Sequence, residues 1–395
     1  MDEMTSVSDS DMSTFASTMI LTSTNTTLHS TTSSPDDDQG WGVGTIENMA
    51  VVRTVYGFIA IIGILGNFIV CLALIRNATL RTRTSHFIIH LAVTDLLTSF
   101  WIIPFNLFPR PPDLADNIGG EIVCRLYSSK FPLWCTIFAS VYSLVTVTIE
   151  RYFAVVHPIK FKIFFRMKWC VLMMAATWVI GFASNVYFFL VYDAVDGACV
   201  FTGYASVAAQ RIVGVYTFSA VYVVPVAITL YCHRKMIISL KKQMDAMRKD
   251  KRQNRAAGHK SKRDENAWQL KATNEIQKTL FVVLVTYMIC WAPNQFIFFA
   301  YNLGAKVDFA QPYYHVSVMF ALCNSCLNPF IYVYKNKYFR QGVVEALGCP
   351  PGVMVFLNRI GPTSTQVDTP TNTLDNTVQT ANPSELNNHT DNALV

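Results

Sequence analysis

The chain has 395 residues, of which 52% are hydrophobic and only 15% are charged, and its net charge is +6. A soluble domain carries about 25% charged residues, so this composition argues against a soluble protein and favours a membrane protein. The positive charge does not indicate nucleic-acid binding, because acids are interleaved in the basic run between Lys241 and Lys271, as on a solvated helix. No catalytic cluster is evident, so we expect neither an enzyme nor a bound cofactor.

Residues 1–50 are predicted to form a disordered extracellular N-terminus. The segment up to Val52 contains no Lys or Arg and is rich in Ser, Thr and Asp, a composition that does not supply a hydrophobic core. It also lacks the basic start of a signal peptide. With this end outside the cell, Asn25 in the sequence Asn-Thr-Thr is a glycosylation site.

Seven apolar stretches predict seven membrane-spanning helices. Each covers about 20 residues or more, enough to cross a hydrocarbon core about 30 Å thick, and a helix satisfies its own backbone groups in lipid. The expected fold is therefore an all-α membrane protein, a seven-transmembrane helix bundle at residues 51–335. The stretches are Val51–Ile75, Ser85–Phe108, Glu121–Val156, Trp169–Tyr192, Val207–Ile238, Ile276–Tyr301 and Gln311–Tyr334.

The distribution of basic residues between the loops predicts the orientation. The first, third and fifth loops hold the clusters of Lys and Arg, whereas the second, fourth and sixth loops hold almost none. By the positive-inside rule the odd loops are cytoplasmic and the N-terminus is extracellular. Cys124 and Cys199 are then the only cysteines at the outer face, where disulfides form, and we expect them to pair.

Residues 335–348 are predicted to form a short amphipathic helix on the inner membrane surface. Bases and aromatic residues fall on one side of this segment and apolar residues on the other. Cys349 follows as a candidate for palmitoylation, or equally as a free thiol. Residues 349–395 are expected to be a disordered cytoplasmic tail, whose threonines are either phosphorylation sites or simply solvated.

Several polar side chains interrupt the apolar spans. Arg151 ends the third span and is either paired with Glu150 or reaches the headgroups. A charge at Asp95 costs about 2.5–3.5 kcal/mol in mid-membrane and needs partners. Candidate oxygen-bearing partners in other spans are Asn67, Ser140, Asn324, Ser325 and Asn328. They suit a small cation, but a hydrogen-bonded network without an ion is the alternative that the chemistry alone favours.

Three prolines, at positions 225, 293 and 329, lie inside predicted spans. A proline removes one helical hydrogen bond and kinks the helix, and a kink permits movement of one half of a helix against the other. Trp291 lies two residues before Pro293, and Tyr332 lies one turn after Asn328-Pro329. Static packing is the alternative, because proline is common in membrane helices.

Taken in order, with one set in each span, these motifs resemble the rhodopsin-like (class A) G-protein-coupled receptors from about Val51 to Leu347. The motifs are Gly66-Asn67, Leu91-Ala-Val-Thr-Asp95, Cys124, Glu150-Arg-Tyr152, Trp178, Cys199, Pro225, Cys290-Trp-Ala-Pro293 and Asn328-Pro-Phe-Ile-Tyr332. The resemblance implies a plasma-membrane receptor that activates a heterotrimeric G protein through outward movement of the sixth helix. Arrestin and receptor kinases are the implied partners of the tail.

The resemblance also implies residue roles. The residues of G-protein coupling and switching are Glu150, Arg151, Tyr152, Trp291, Pro293, Asn328, Pro329 and Tyr332. The family's sodium site is matched by Asp95, Ser140, Asn324, Ser325 and Asn328, and this match favours an allosteric sodium ion over an ion-free network.

The ligand class follows partly by exclusion. The third span has no Asp from Ile122 to Ile149, so the anchor of amine receptors is missing, and the seventh span has no lysine before Lys335 for an opsin. The chain is similar to neuropeptide receptors, although a lipid or other small-molecule ligand, or a seven-span transporter, are alternatives. The candidate ligand-binding residues are Trp101, Lys130, Leu133, Trp134, Arg211, Gln295, Phe298 and Tyr314. For the aromatic residues among them, a place in the aromatic belt at the membrane interface is the alternative.

Three features depart from the family pattern. Cys124 and Arg151 are 27 positions apart, two more than usual, and Pro132 between them is expected to absorb the excess. His233 stands where the family usually carries the tyrosine that partners Tyr332, and Tyr231 lies two residues away. The acid that locks the arginine in some receptors is replaced by Thr273, which leads us to expect basal activity.

Overall fold

A computed structural model of the protein describes residues 49–77, 82–108, 114–256, 264–309 and 311–360. Seven helices in these ranges are long and apolar enough to cross a membrane, which confirms the predicted seven-helix bundle. The spans are α1 (Ala50–Arg76), α2 (Arg83–Leu107), α3 (Ile118–Val156), α4 (Met167–Val191), α5 (Val207–Lys249), α6 (Thr273–Asn302) and α7 (Pro312–Lys335). The N-terminal segment with Asn25 and the tail after residue 360 lie outside the described residues.

Several spans contain a break in the α-helix, and the helices of α5 and α6 extend beyond the span limits given above. The α-helical segments are Arg83–Ile102 in α2; Ile118–Val123 and Phe131–Val156 in α3; Met167–Asn185 and Phe188–Val191 in α4; and Val207–Phe218 and Val224–Ala256 in α5. The helix of α6 begins at Asp264 and ends at Asn302, and a short helix, Pro158–Phe164, links α3 to α4. Most of the basic fifth loop is thus helical, as the alternating charges predict.

Helix α3 lies at the centre of the bundle. It packs against α2, α4 and α5, whereas α1 packs against α2 and α7, and α6 packs against α5 and α7. Its apolar segment is the most buried of the seven. Side chains from six of the spans, α3 among them, share one continuous hydrophobic cluster.

The extra length between Cys124 and Arg151 is absorbed before Pro132, by a break in α3. A π-helical turn covers Cys124–Ser128, and Lys130 adopts a left-handed backbone conformation with φ of 58°. The helix then restarts at Phe131 with Pro132 in its first turn, where a missing N–H costs nothing. The predicted bulge is therefore present, and it determines the positions of the side chains of Lys130 and its neighbours in α3.

A β hairpin covers one end of the bundle. Strand β1 (Tyr192–Val195) pairs antiparallel with β2 (Ala198–Phe201). The predicted disulfide joins Cys124 in α3 to Cys199 in β2 and is confirmed. We call this end of the bundle the hairpin end. The opposite end, where Arg151 lies little more than one turn before the end of α3, is about 40 Å away at 1.5 Å per residue and is called the arginine end.

The C-terminal part differs from the expectation of a disordered segment from residue 349. The amphipathic helix is present as α8 (Lys337–Leu347), but a further helix, α9 (Pro351–Ile360), follows it. Gly348 ends α8 in a left-handed conformation, and the Cys349 N–H donates to the Val344 carbonyl at 3.0 Å. A proline at the first position then starts α9. Residues 348–350 therefore connect two helices.

Buried contacts hold α8 and α9 in place. The apolar face of α8, with Phe339 and Val343, is buried in the core cluster, and α8 packs against α1. Arg340 is buried and donates to the Val333 and Tyr334 carbonyls, both at 2.9 Å, and to Asn358 of α9 at 3.3 Å. Burial lowers the pKa of its guanidinium from the usual value. Arg340 thus caps the end of α7 and joins it to α9.

Close packing of α3 against α4 depends on Gly181. A Cβ atom at this position would lie 2.6 Å from the main-chain carbonyl oxygen of Cys135, so a helix would have to shift. We predict that Gly181→Ala lowers the stability of the purified receptor by about 1–3 kcal/mol, measured as a fall in melting temperature. Gly352→Ala in α9 is the control, because no atom lies within 4 Å of its added carbon. Equal melting temperatures for the two variants would contradict the prediction.

Candidate functional site

A cavity of about 730 Å³ lies among the helices at the hairpin end. Three π-helical turns, Ile103–Leu107 in α2, Cys124–Ser128 in α3 and Ser219–Val223 in α5, all contribute lining residues. Such turns interrupt the regular backbone pairing and are frequent at functional sites. The cavity is therefore built where three helices depart from α-helical geometry.

Six of the eight candidate ligand-binding residues line this cavity. They are Lys130, Leu133, Trp134, Gln295, Phe298 and Tyr314. The structure does not bring the other two to it. Trp101 instead stacks on Phe105, which is itself a lining residue, with ring centroids 5.4 Å apart. Arg211 is exposed near the start of α5. Trp101 thus contacts a lining residue, Phe105, without lining the cavity itself.

Aromatic side chains make up nearly half of the residues that line the cavity, and polar side chains are among the rest. Asn294 and Gln295 of α6 present buried amides, and the Gln295 side-chain oxygen has no hydrogen-bond partner among the described residues. The Asn106 side-chain oxygen is likewise buried without a partner there. An aromatic cavity with a few convergent polar groups is the usual form of a small-ligand site.

The hairpin is held over the cavity by Arg125. Its guanidinium donates to the Phe189 carbonyl at 2.8 Å and forms ion pairs with Glu121, at 2.9 Å, and with Asp193 of β1. Tyr192 and Phe201 of the hairpin line the cavity below. Sequence reasoning did not single out Arg125, although its position next to the disulfide cysteine was a usable signal.

Below the cavity, tyrosines join α3 and α6 to the π-helical turn of α5. The Tyr142 hydroxyl donates to the Ala220 carbonyl at 3.1 Å, and the buried Tyr287 hydroxyl donates to the Val221 carbonyl. Trp291 lines the cavity, and its ring lies 6.3 Å from that of Tyr287. A ligand that moves Trp291 can therefore act on the contact between α5 and α6. Sequence reasoning named Trp291 but missed both tyrosines.

Asp95 is fully buried in the middle of the bundle. The Ser140 hydroxyl donates to one carboxylate oxygen at 2.5 Å, and the Asn328 amide donates to the other at 2.8 Å. The Asn67 amide donates to the Ser325 carbonyl at 2.8 Å, which ties α1 to α7 beside this cluster. The structure thus brings Asp95 together with Ser140 and Asn328, as the motif predicts.

The oxygen atoms around Asp95 are suited to bind a small hard cation. The side-chain oxygens of Asn67, Asn324 and Asn328 are buried and accept no hydrogen bond in the described part of the chain. Buried carbonyl oxygens without a donor are costly, and a cation or water satisfies them. A carboxylate with hydroxyl and amide oxygens is the ligand set that alkali and alkaline-earth cations prefer.

At the arginine end, Arg151 forms a closed cluster with Glu150 and Thr84. Its guanidinium donates to both carboxylate oxygens of Glu150, at 2.6 and 2.7 Å, and to the Thr84 hydroxyl. Thr84 in turn donates to Glu150 at 3.0 Å. The Glu150 side chain is fully buried, whereas Arg151 keeps 14% of its side-chain surface exposed. The arginine is therefore held in place by its neighbour and by α2.

No acid of α6 is shown to bind Arg151 in the described residues. Glu275 accepts instead from Lys278, at 2.8 Å. The Tyr332 hydroxyl and the His233 Nε2 atom are both buried without a partner in the same part of the chain, and Tyr231 is exposed on α5 beside Tyr152. Neither residue bonds Tyr332 in this conformation. Pro293 and Pro329 lie inside α6 and α7, as the spacing predicts.

His90 joins three helices in a way that the sequence did not reveal. The Trp178 Nε1–H of α4 donates to His90 Nε2 at 3.1 Å, so Nε2 is unprotonated and Nδ1 carries the proton. Nδ1 then donates to the Ser143 hydroxyl of α3 at 2.9 Å, which donates to the Ala139 carbonyl at 2.6 Å. His90 is therefore a neutral link between α2, α3 and α4.

We predict that His90→Leu destabilises the receptor by about 1–3 kcal/mol, because it leaves the Trp178 donor without an acceptor. The measurement is the melting temperature of purified protein. Trp178→Phe in the His90→Leu background removes that donor, so the double variant should be more stable than the sum of the single effects predicts. Strictly additive losses would show that the hydrogen bond is not the source of the effect.

Comparison with known proteins agrees with this geometry. Residues 66–332 match the family described as 7 transmembrane receptor (rhodopsin family). The chain is 29% identical to the allatostatin-A receptor of Bombyx mori over 76% of its length and 80% of that protein. It is 25% identical to the galanin receptor 2a of Danio rerio, over 78% and 80% of the two chains. It is also 25% identical to the S-geranylgeranyl-glutathione receptor P2RY8 of Homo sapiens, over 75% and 79%.

The matched region covers more than half of the chain and contains all seven spans in part or whole, with the disulfide and the motifs around Asp95, Arg151 and Pro329. The protein is thus a multi-pass membrane protein, and its family is one of receptors. The chain belongs to the rhodopsin family of seven-transmembrane receptors, the class A G-protein-coupled receptors.

Proposed function

We propose that the protein is a plasma-membrane receptor that binds an extracellular neuropeptide and activates a heterotrimeric G protein. The hairpin end faces the outside, in agreement with the positive-inside rule and with the disulfide between Cys124 and Cys199. Ligand binding then shifts the population toward a state in which α6 is displaced outward at the arginine end.

The observation that carries the proposal is the series of contacts that leads from the cavity to the interface between α5 and α6. Trp291 lines the cavity, and two residues later Pro293 interrupts α6. Trp291 and Tyr287 both lie on the arginine-end side of Pro293, their rings are 6.3 Å apart, and the Tyr287 hydroxyl donates to the Val221 carbonyl in the π-helical turn of α5. A ligand that displaces Trp291 is therefore expected to move the inner half of α6 against α5, with Pro293 as the hinge to the outer half.

At the arginine end, Arg151 with Glu150 and Tyr152 is the proposed G-protein contact. A conformational switch is proposed in α7, at Asn328, Pro329 and Tyr332. The free positions of the Tyr332 hydroxyl and His233 Nε2 leave both available for new hydrogen bonds in the active state. Arrestin and receptor kinases would act on the C-terminal tail, and Cys349, half-buried between α8 and α9, is the proposed palmitoylation site.

A peptide is the favoured ligand for two reasons. The cavity of about 730 Å³ is within the range of ligand pockets, about 300–1,000 Å³, and its aromatic walls suit the side chains of a peptide end. Two of the relatives are named as receptors for allatostatin-A and galanin. A lipid-like small molecule is the second candidate, because a third relative is named as a receptor for S-geranylgeranyl-glutathione.

An allosteric sodium ion is proposed at Asp95. The carboxylate, the Ser140 and Ser325 hydroxyls and the amide oxygens of Asn324 and Asn328 would hold it. Since Asn328 belongs to α7 and Ser140 to α3, an ion here would stabilise one packing of these helices over another. The ion is thus expected to oppose the rearrangement that a ligand favours.

The test is nucleotide exchange by purified full-length receptor in lipid nanodiscs with a panel of heterotrimeric G proteins. A library of extracellular peptides is screened beside a library of lipid acids and alcohols. We expect a peptide to accelerate GDP release. Acceleration by lipids alone would replace the peptide with the second candidate. No acceleration by any compound, and none above the rate without receptor, would refute the proposal.

A further inference from the structure

A groove of about 270 Å³ lies between α5 and α6, apart from the ligand cavity. Five of its lining residues belong to α5 and follow the spacing of three and four positions that places side chains on one face of a helix. The sixth is Phe281 of α6. We call it the α5–α6 groove, and the lining residues from α5 are Leu230, His233, Arg234, Ile237 and Ile238.

The α5–α6 groove faces away from the centre of the bundle. On α5, Cys232 and Met236 pack in one buried cluster with Val155 of α3, near the arginine end. Arg234 lies two positions from each of these residues, about 200° around the helix from that contact. The four apolar residues that line the groove are each at least 40% exposed. In a bilayer, this surface of α5 and α6 therefore meets lipid.

Two polar side chains interrupt this apolar surface. Arg234 is exposed and forms no hydrogen bond or ion pair with the described residues. His233 keeps only 2% of its surface exposed, and its ring packs edge-on against Phe281 with the centroids 5.6 Å apart. The His233 Nε2 atom has no hydrogen-bond partner in the described part of the chain. A cation or an unpaired polar nitrogen at a lipid-facing surface is costly, so both side chains are expected to have a partner there.

Two acids on the same helices do not provide that partner. Glu275 of α6 accepts from Lys278 at 2.8 Å, and Asp245 of α5 lies 3.9 Å from Arg248. Neither acid lines the groove. Among its lining residues, Arg234 therefore presents a positive charge without a carboxylate to offset it.

We propose that the α5–α6 groove binds an anionic phospholipid of the inner leaflet. Arg234 pairs with the phosphate, His233 donates to a glycerol-ester carbonyl, and an acyl chain lies along Leu230 and Phe281. Arg234 lies four residues before the predicted end of the span at Ile238, about 6 Å along the helix, from where its side chain reaches the headgroups. The inner leaflet carries the anionic lipids, and basic pockets between membrane helices bind their headgroups. The assignment to the inner leaflet rests on the orientation proposed above.

Occupancy of the groove is expected to depend on how α5 packs against α6, because both helices form it. A displacement of α6 moves Phe281 relative to the lining residues of α5. A phospholipid that fits the groove in the present conformation therefore stabilises the present packing of the two helices over the displaced one.

The experiment uses purified full-length receptor in detergent micelles, titrated with dioleoylphosphatidylserine or with dioleoylphosphatidylcholine. The two lipids share their acyl chains, glycerol esters and phosphate but differ in net charge. Binding is measured from the rise in melting temperature with the mole fraction of lipid in the micelle. We expect phosphatidylserine to reach half of its full effect at a mole fraction about tenfold lower than phosphatidylcholine does, as for a hydrogen bond to a charged group.

Substitutions assign this preference to the groove, and each variant is compared with its own melting temperature without added lipid. Arg234→Gln should bring the two lipids to the same mole fraction. His233→Phe keeps a ring against Phe281 but should weaken the binding of both lipids alike, with the preference for phosphatidylserine retained. Lys235→Gln is the matched control, because Lys235 is cationic and exposed but lies over the Tyr231 ring, 5.7 Å from its centroid, and does not line the groove. This variant should keep the full preference.

Equal effects of the two lipids on the unmodified receptor, or a preference that survives in Arg234→Gln, would overturn the inference. An equal loss of preference in Arg234→Gln and Lys235→Gln would also overturn it, because it would indicate a general attraction between basic residues and anionic lipid. Cholesterol is the third lipid: a larger stabilisation by cholesterol that His233→Phe removes and Arg234→Gln does not would assign the groove to a sterol instead. No receptor ligand or G protein is present, so these negative results would leave the proposed receptor function standing.

Discussion

Replacing Arg151 by alanine is expected to reduce ligand-stimulated nucleotide exchange on the G protein by at least about a hundredfold. Arg151 is the only member of the cluster with Glu150 and Thr84 that keeps side-chain surface exposed at the arginine end. In the proposed mechanism α6 moves away, and this guanidinium is then the group that would contact the G protein. The loss is measured as the initial rate of GDP release, normalised to the amount of folded receptor at the cell surface.

The same change carries a cost in stability that must be separated from the loss of coupling. Glu150 is fully buried, so removing its cation leaves an unpaired buried charge, at a cost of about 3–5 kcal/mol. The double variant Glu150→Gln, Arg151→Ala removes both charges and should regain much of that stability. It should still fail to stimulate exchange. Recovery of exchange in the double variant would show that Arg151 acts only by neutralising Glu150.

The single variant Glu150→Gln tests whether a weaker hold on Arg151 raises nucleotide exchange instead of lowering it. It keeps the guanidinium but replaces two charged contacts, at 2.6 and 2.7 Å, with contacts to a neutral amide. Because Glu275 of α6 pairs with Lys278, no acid from α6 within the described chain is shown to compensate. Exchange without ligand should therefore rise. This agrees with the expectation of basal activity from Thr273.

The helices and the switch motifs were predictable because each depends on local pattern. An apolar stretch of about 20 residues crosses a bilayer as a helix. Motif residues such as Asp95 and Arg151 are recognised from the residues next to them in sequence. The contacts of Asp95 with Ser140 and Asn328 followed from the motif, whereas the sodium ion that the resemblance implies there stays a prediction. Even the bulge before Pro132 followed from counting residues.

The details that were missed arise from contacts between distant segments. The link from Trp178 to His90 joins positions 88 residues apart, and Tyr287 bonds a carbonyl that is accessible because α5 contains a π-helical turn. No local pattern reports such a turn. Helix α9 was missed for a different reason, because Gly348 and the two prolines after Cys349 indicate a break equally well before a second helix or before a tail.

Asp95→Asn is expected to abolish the dependence of the receptor on sodium. In the unmodified protein, sodium chloride should raise the melting temperature above that in N-methyl-D-glucamine chloride of equal ionic strength, because an ion bound only to the folded state stabilises it. A sodium concentration ten times the dissociation constant contributes about 1.4 kcal/mol. With an agonist in hand, sodium should also weaken agonist affinity, because the proposed ion would hold α3 and α7 in the inactive packing.

The asparagine variant should fold, which makes the result interpretable. Its amide oxygen can still accept from the Ser140 hydroxyl, and the Asn328 amide can rotate to present its oxygen to the new amide nitrogen. Thr98→Ala is the matched control, because its buried hydroxyl donates to the Thr94 carbonyl of its own helix at 2.9 Å. That variant should keep the full response to sodium. A sodium effect that persists in Asp95→Asn, or that is absent from the unmodified receptor, would leave the Asp95 cluster as a hydrogen-bonded network without an ion.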